Sequence, residues 1–232
     1  MTSGLIGCLW RRGSLRMLIA LAFGVLLQAC AGYRGGWESV PYVGDVPPAL
    51  LPEASTPHES YKRSELQFPG LTLGLGINNQ VRTYDTQVYL FVVPLGVDPR
   101  NVPTQRVDAG MTRINLRIKV QDARWVLRPG LARFRVAGKT VAAKAAFEWG
   151  RWDAQGHRVK TGGEWRYRAT GDEASLDEPD RTYLLVLDFP VDAPSPESRE
   201  LSLDLSEALV GAGRPPLPLI RFIPARWKEG YT

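Results

Sequence analysis

From Arg113 to Val120 the side chains alternate at every step, with Ile114, Leu116, Ile118 and Val120 interleaved by Arg113, Asn115, Arg117 and Lys119. Successive side chains of an extended backbone point to opposite faces, so this run specifies a strand with one buried and one wetted face. The same period of two returns at Leu71, Leu73, Leu75 and Ile77, and at Phe134 and Val136 between Arg133 and Arg135. It returns again at Trp165 and Tyr167 beside Arg166 and Arg168, at Tyr183 to Phe189, and at Leu201, Leu203 and Leu205. Gln87 to Val93 is a denser apolar run that suits a central strand. Trp125 to Leu127 reads as a short continuation after a bulge, and the last strand is expected near Leu217 to Ile223.

Val141 to Trp149 satisfies two patterns. Its Ala, Lys and Glu content favours helix, whereas Val141, Ala143, Ala145, Phe147 and Trp149 fit a strand face. Its position between Gly138 and Gly150, with the turn-like Asp153-Ala154-Gln155-Gly156 beyond, favours the strand. One helical turn is expected at Ser206 to Val210, ended by Gly211. Short strands, frequent turn residues and no long amphipathic helix predict an all-β, antiparallel β-sandwich, immunoglobulin-like or transthyretin-like, with a small closed barrel as the alternative.

The first thirty residues obey different rules. Arg11, Arg12 and Arg16 precede an apolar-leaning run from Met17 to Leu27, and no acidic residue occurs before Glu38. The run is long enough to enter a translocon and too short to span a bilayer stably, which is the pattern of a cleaved signal segment. It ends in Leu27-Gln28-Ala29-Cys30. This ending resembles the lipobox of bacterial lipoprotein precursors. The resemblance implies cleavage between Ala29 and Cys30 and a diacylglycerol thioether on the Cys30 sulfur, a membrane anchor of two acyl chains. Ala31 stands where enteric-type lipoproteins retained on the inner membrane carry aspartate, so the resemblance places the protein in the bacterial cell envelope, on the outer membrane facing the periplasm. An ordinary secretory signal cut after Ala29 is the competing reading.

Composition narrows the partners. The chain has 29 basic and 24 acidic residues, and setting aside the three signal arginines leaves 26 against 24. A nearly neutral mature protein is a poor match for nucleic acid. Cys8 leaves with the signal and Cys30 carries lipid, so no thiol remains for a disulfide or a metal. Residues 31–68 contain Pro41, Pro47, Pro48, Pro52 and Pro57 and several glycines, which reads as a tether holding a domain of residues 69–232 away from the lipid. Tyr33, Trp37, Tyr42 and Tyr61 make it more aromatic than a pure spacer.

Reaction chemistry is thinly supplied. His58 lies in the expected tether and His157 after a turn, neither where a core would hold it, and no nucleophile elbow is present. Gly138-Lys139-Thr140 is better read as a turn between strands than as part of a P-loop, because Arg133 stands where the earlier glycine belongs. Asp172, Glu173, Asp177, Glu178 and Asp180 lack the spacing of a calcium loop and read as a solvated segment. No catalytic residue, metal or cofactor is expected.

Two surfaces remain as binding candidates. If their strands share a sheet, Arg113, Arg117, Lys119, Arg133, Arg135, Arg166 and Arg168 form a cationic face for anionic lipid or glycan, although outward positions of a half-wetted sheet are commonly charged in any case. Among the aromatics, Trp149 and Trp165 fall on expected apolar faces and are assigned to the core, which leaves Trp152 as the exposed candidate. The leading expectation is a lipid-anchored, non-enzymatic interaction or structural module with an envelope protein, lipid or glycan partner. Its alternatives are a glycan-binding module and a carboxylate-dependent hydrolase. A shallow row of exposed Trp and Tyr would favour sugar binding, convergent carboxylates in a deep cleft a hydrolase, and a flat basic face a protein or lipid partner.

Overall fold

The computed structural model describes residues 31–45, 47–48, 51–89, 93–105, 107–121, 124–179 and 181–231. In chain order, β1 (Ala31–Val43) is followed by helix α1 (Pro57–Arg63), β2 (Glu65–Phe68), β3 (Leu71–Ile77), β4 (Val81–Tyr89) and β5 (Val93–Asp98). Next come β6 (Val102–Pro103), β7 (Thr112–Val120), β8 (Trp125–Leu127), β9 (Arg133–Val136), β10 (Lys139–Ala142) and β11 (Ala145–Trp152). The chain ends with β12 (Glu164–Ala169), β13 (Ala174–Leu176), β14 (Thr182–Phe189), β15 (Ser202–Asp204), β16 (Leu209–Gly211) and β17 (Ile220–Tyr231).

These strands form an all-β antiparallel sandwich. One sheet has the order β10-β9-β15-β17-β1-β4-β5, with β6 beside the start of β4; the facing sheet runs β12-β11-β14-β7-β3-β2. A small third sheet, β13-β8-β16, contributes Trp125, Leu127, Leu176 and Leu209 to the same core. The alternating residues of β3, β7 and β14 behave as their sequence demands: Leu73, Leu116, Ile118, Leu185 and Leu187 are buried against Phe134, Leu203, Ile220 and Phe222. Phe134 and Phe189 meet between the sheets with ring centroids 5.4 Å apart. Each such aliphatic side chain contributes about 1.5–3 kcal/mol by leaving water. A slip of one residue in β7 would exchange its aliphatic and polar faces, so the register is strongly set.

The segment read as a tether belongs to the sandwich. β1 occupies an interior position and pairs with β17 from Gly32↔Tyr231 to Val43↔Ile220, and with β4 from Ala31↔Val88 to Trp37↔Val81. Glycine and proline there serve strand pairing rather than flexibility. A Cβ on Gly36 would collide with the Val81 carbonyl, and one on Gly35 with the Tyr84 hydroxyl, at a bulge in the β1–β4 ladder. Pro41 lies beyond Trp37, where β4 no longer flanks β1. Pro224 lies within β17, an interior strand of the eight-stranded sheet. Even-numbered groups of β17 face away from β1, as Phe222 N donating to the Leu201 carbonyl and Lys228 N donating to the Ala54 carbonyl show. The amide hydrogen that Pro224 lacks therefore points where β15 has already ended.

Four further expectations change. The apolar run Gln87 to Val93 is not one central strand, because β4 ends at Tyr89 and β5 returns antiparallel from Val93. Val141 to Trp149 is divided: β10 lies in one sheet and β11 in the other, so the chain changes sheets between Ala142 and Ala145. Ser206 to Ala208 form a turn, with the Ala208 and Leu209 amides donating to the Leu205 carbonyl, and β16 follows at once. The hairpin turn expected at Gly138-Lys139 falls one residue earlier, at Ala137 and Gly138, both at positive φ, and Lys139 already pairs with Val136 as the first residue of β10.

Candidate functional site

Helix α1 forms where Thr56-Pro57-His58-Glu59 supplies its own start. The Glu59 amide donates to the Thr56 hydroxyl at 3.2 Å, the Ser55 amide donates to the Glu59 carboxylate at 2.6 Å, and Pro57 takes the first helical position. The helix places Tyr61 and Ser64 against the six-stranded sheet, where Leu75 N donates to the Ser64 carbonyl at 3.0 Å.

One row of cross-strand neighbours then spans that whole sheet: Glu65, Gly74, Arg117, Leu184, Trp149 and Tyr167. Opposed residues of antiparallel strands project to the same side, and this is the side away from the core. Arg117 lies across β3 to reach Glu65 at 3.3 Å, and its guanidinium sits 3.1 Å from the centre of the Tyr61 ring. It can do so because residue 74 is glycine; a Cβ there would stand 2.7 Å from the Arg117 nitrogen. Gly76, one row along beside Asn115, leaves open space above the strand. The result is a groove of about 270 Å³ with Gly74 and Gly76 in its floor and Asn115, Arg117, Trp149 and Tyr167 around it.

The aromatic wall is built by β11 and the edge strand β12. Trp149 lies 4.7 Å from Tyr167 and 5.9 Å from Trp165, the latter pair nearly parallel. Trp165 is 54% exposed and Tyr167 52% exposed. Trp152, the residue expected to be exposed, is 7% exposed; its indole nitrogen donates to the Arg166 carbonyl at 3.0 Å and the Arg168 guanidinium covers its ring at 5.1 Å. The assignments of Trp152 and Trp165 are thus reversed. The change of sheet before Ala145 breaks the alternation: Val141 and Ala143 pack inward, but beyond the break Ala146, Gly150 and Trp152 are the buried positions.

The cationic face does not assemble. Arg113, Arg117 and Lys119 on β7 and Arg166 and Arg168 on β12 share the six-stranded sheet, but Arg133 and Arg135 on β9 belong to the other one. Within the six-stranded sheet the two groups also differ in side. Arg117 shares its row with Tyr167, whereas Arg168 opposes Glu148 and Arg166 opposes Gly150 in rows that continue to the core side. Several of these charges are spent locally. Arg113 forms a two-point pair with Asp188 at 2.8 and 2.9 Å, which raises the Arg113 pKa, and Arg166 donates to the Asp153 carbonyl at 3.0 Å.

Carboxylates are likewise matched with arginine rather than with each other. Glu148 pairs with both Arg158 and Arg181, Glu38 with Arg63, and Glu178 with Arg181. Hydrogen bonds from Arg100 lower the Asp98 pKa to about 2, the opposite of what a general acid requires. His58 stacks on Tyr61 within α1, and His157 lies 3.4 Å from Asp153 at the turn after β11. Among the described residues there is no group of three or more potential metal ligands, and no helix long and apolar enough to cross a membrane. Ala29 and Cys30 lie outside the described residues. No protein-family model, curated protein or solved structure matches the chain.

Proposed function

We propose that the protein is an envelope lipoprotein, anchored through Cys30 to the periplasmic face of the bacterial outer membrane, whose sandwich is a non-enzymatic module that binds a glycan on the outer face of its six-stranded sheet. The anchor rests on the signal segment and its Leu27-Gln28-Ala29-Cys30 ending. The glycan reading rests on one observation: Trp149 and Tyr167, 4.7 Å apart, stand beside a floor bared by Gly74 and Gly76, with Asn115 and Arg117 at hand. Pyranose rings present apolar C–H faces that stack on aromatic rings, and their hydroxyls accept from guanidinium and amide donors. This groove is shallow and aromatic rather than a deep cleft with converging carboxylates, which favours retention of a sugar over its hydrolysis.

The binding test is titration of the purified protein with soluble peptidoglycan fragments and with lipopolysaccharide core oligosaccharide, read by tryptophan fluorescence. Saturable binding by one of them, weakened at least tenfold by Trp165→Ala or Tyr167→Ala with thermal melting unchanged, is the expected result. Binding that ignores both substitutions, or no binding of either glycan, refutes the groove. The anchor is tested separately, because Cys30→Ser should leave a slower-migrating, unprocessed precursor. Unchanged maturation and membrane retention of that variant would refute it.

A further inference from the structure

Among the described residues, the groove is lined by one charged side chain, Arg117, and by no carboxylate. The rows of the outer face around it keep the same sign. Register puts Arg113, Arg117 and Lys119 of β7 and Arg151 of β11 on this side of the sheet, against two carboxylates, Glu65 of β2 and Asp188 of β14. Asp188 is taken up by Arg113, and Glu65 lies 3.3 Å from Arg117. Neither Lys119 nor Arg151 is paired with a carboxylate among the described residues.

These two cations stand one row beyond the groove's own, and in the same direction. Lys119 is two residues past Arg117 and opposes Thr182, while Arg151 is two residues past Trp149 and opposes Trp165. Both β7 and β11 run antiparallel to β14, so the step from 117 to 119 matches the step from 149 to 151. With one strand between them, the backbones that carry Lys119 and Arg151 are about 10 Å apart. The Arg151 guanidinium sits 5.4 Å from the centre of the Trp165 ring, at the most exposed part of the aromatic wall. Its Nε is buried without a hydrogen-bond partner, so the group is held by the ring and not by an acid. Elsewhere the chain matches arginine with glutamate, at Glu38, Glu148 and Glu178, and beside the wall it does not. A sugar stacked on Trp165 therefore brings its substituents next to uncompensated positive charge.

We propose that the glycan held on this face is an acidic one, whose carboxylate or phosphate is met by Arg151 and Lys119 while its rings stack on Trp149, Trp165 and Tyr167. The proposal rests on the glycan reading of the groove and adds the charge of the ligand and the two residues that select it. A guanidinium donates two parallel hydrogen bonds to either anion, and an ammonium adds a mobile point charge. Both attractions act in addition to stacking, and at an exposed face both weaken as salt is raised.

The experiment changes the charge of the glycan without changing its sugars. Calorimetric titration compares lipopolysaccharide core oligosaccharide in native, dephosphorylated and carboxyl-amidated forms, and peptidoglycan disaccharide-peptides in native and amidated forms, at low and at high sodium chloride. A native form is expected to bind roughly tenfold or more tightly than its neutralised counterpart at low salt, with the difference shrinking at high salt. Loss on dephosphorylation identifies phosphate as the recognised group, and loss on amidation identifies carboxylate. Lys119→Gln and Arg151→Gln, each melting like the parent protein, should weaken the native form several-fold and leave the neutralised form unchanged, whereas Trp165→Ala should weaken both. Equal binding of native and neutralised forms overturns the proposal and leaves the groove as a site for neutral sugar. Affinities for the native form that match the parent protein in both glutamine variants overturn it as well. Absence of binding by every form overturns the glycan reading and the proposal together.

Discussion

The guanidinium of Arg117 lies 3.1 Å from the centre of the Tyr61 ring, and this contact joins helix α1 to the outer face of the six-stranded sheet. Arg117 reaches that position by crossing Gly74 to Glu65, so three elements depend on one residue having no side chain. A cation held over an aromatic face at a partly exposed site contributes about 0.5–1 kcal/mol. Its larger effect is to fix where the positive charge sits beside the groove.

Gly74→Ala places a methyl group where the guanidinium now lies. The obstructed atoms are the far end of a flexible side chain, so Arg117 swings aside and the sheet survives, with a stability loss of under about 1 kcal/mol in urea denaturation. Glycan affinity should fall roughly tenfold, or about 1.4 kcal/mol, as the donor leaves the groove. An affinity equal to that of the parent protein would show that Arg117 plays no part in binding.

The two tryptophans whose assignments are reversed should differ sharply on truncation. Trp152→Ala removes a buried indole and its hydrogen bond to the Arg166 carbonyl, and the expected cost is roughly 3–5 kcal/mol. Trp165→Ala touches a ring more than half in water and should change stability by under about 1 kcal/mol while impairing binding. Chemical denaturation of the two variants decides the matter, and similar losses in both would contradict the burial assigned here.

Period-two alternation revealed β3, β7 and β14 because each has one face in the core and one in solvent, so sequence and environment repeat together. It misled at Trp149 and Trp152, where the chain changes sheets at Ala143 and Lys144 and alternation on one side of the break carries no information about the other. β1 was hidden for another reason. Its glycines and Pro41 are ordinarily breakers, and only the positions of Val81, Tyr84 and the end of β4 show why a strand needs them there. Tyr61 and Gly74 were out of reach because the groove depends on which strands are neighbours, a relationship of long-range pairing. The Thr56-Pro57-His58-Glu59 cap was a legible sign of α1 inside the supposed tether.

Arg113 and Asp188 face each other across β7 and β14 through two hydrogen bonds, and Asp188 is buried. Arg113→Ala leaves that carboxylate without its counter-charge and should destabilise the protein by about 2–4 kcal/mol, toward the lower figure because a third of the arginine side chain is in water. Replacing both residues by leucine removes the stranded charge and should recover most of the loss. A double-mutant cycle by calorimetry measures the coupling, and an Arg113→Ala variant as stable as the parent would remove this pair from the account of the fold.

Asp98 gives the pH dependence a definite sign. Arg100 donates to it from its backbone amide and, through its guanidinium, to both carboxylate oxygens, and the Asp98 pKa falls to about 2. An unperturbed aspartate titrates near 3.9, so the folded protein holds this carboxylate ionised where the unfolded chain would protonate it. The stabilisation is complete above the unfolded value and is lost as the pH falls from about 4 to about 2. Carbon-detected NMR titration should find the Asp98 carboxyl midpoint near the lower value, and Arg100→Ala should return it toward the ordinary range. A midpoint already ordinary in the parent protein, or one that does not move in the variant, would show that the Arg100 clasp on the end of β5 does not persist in solution.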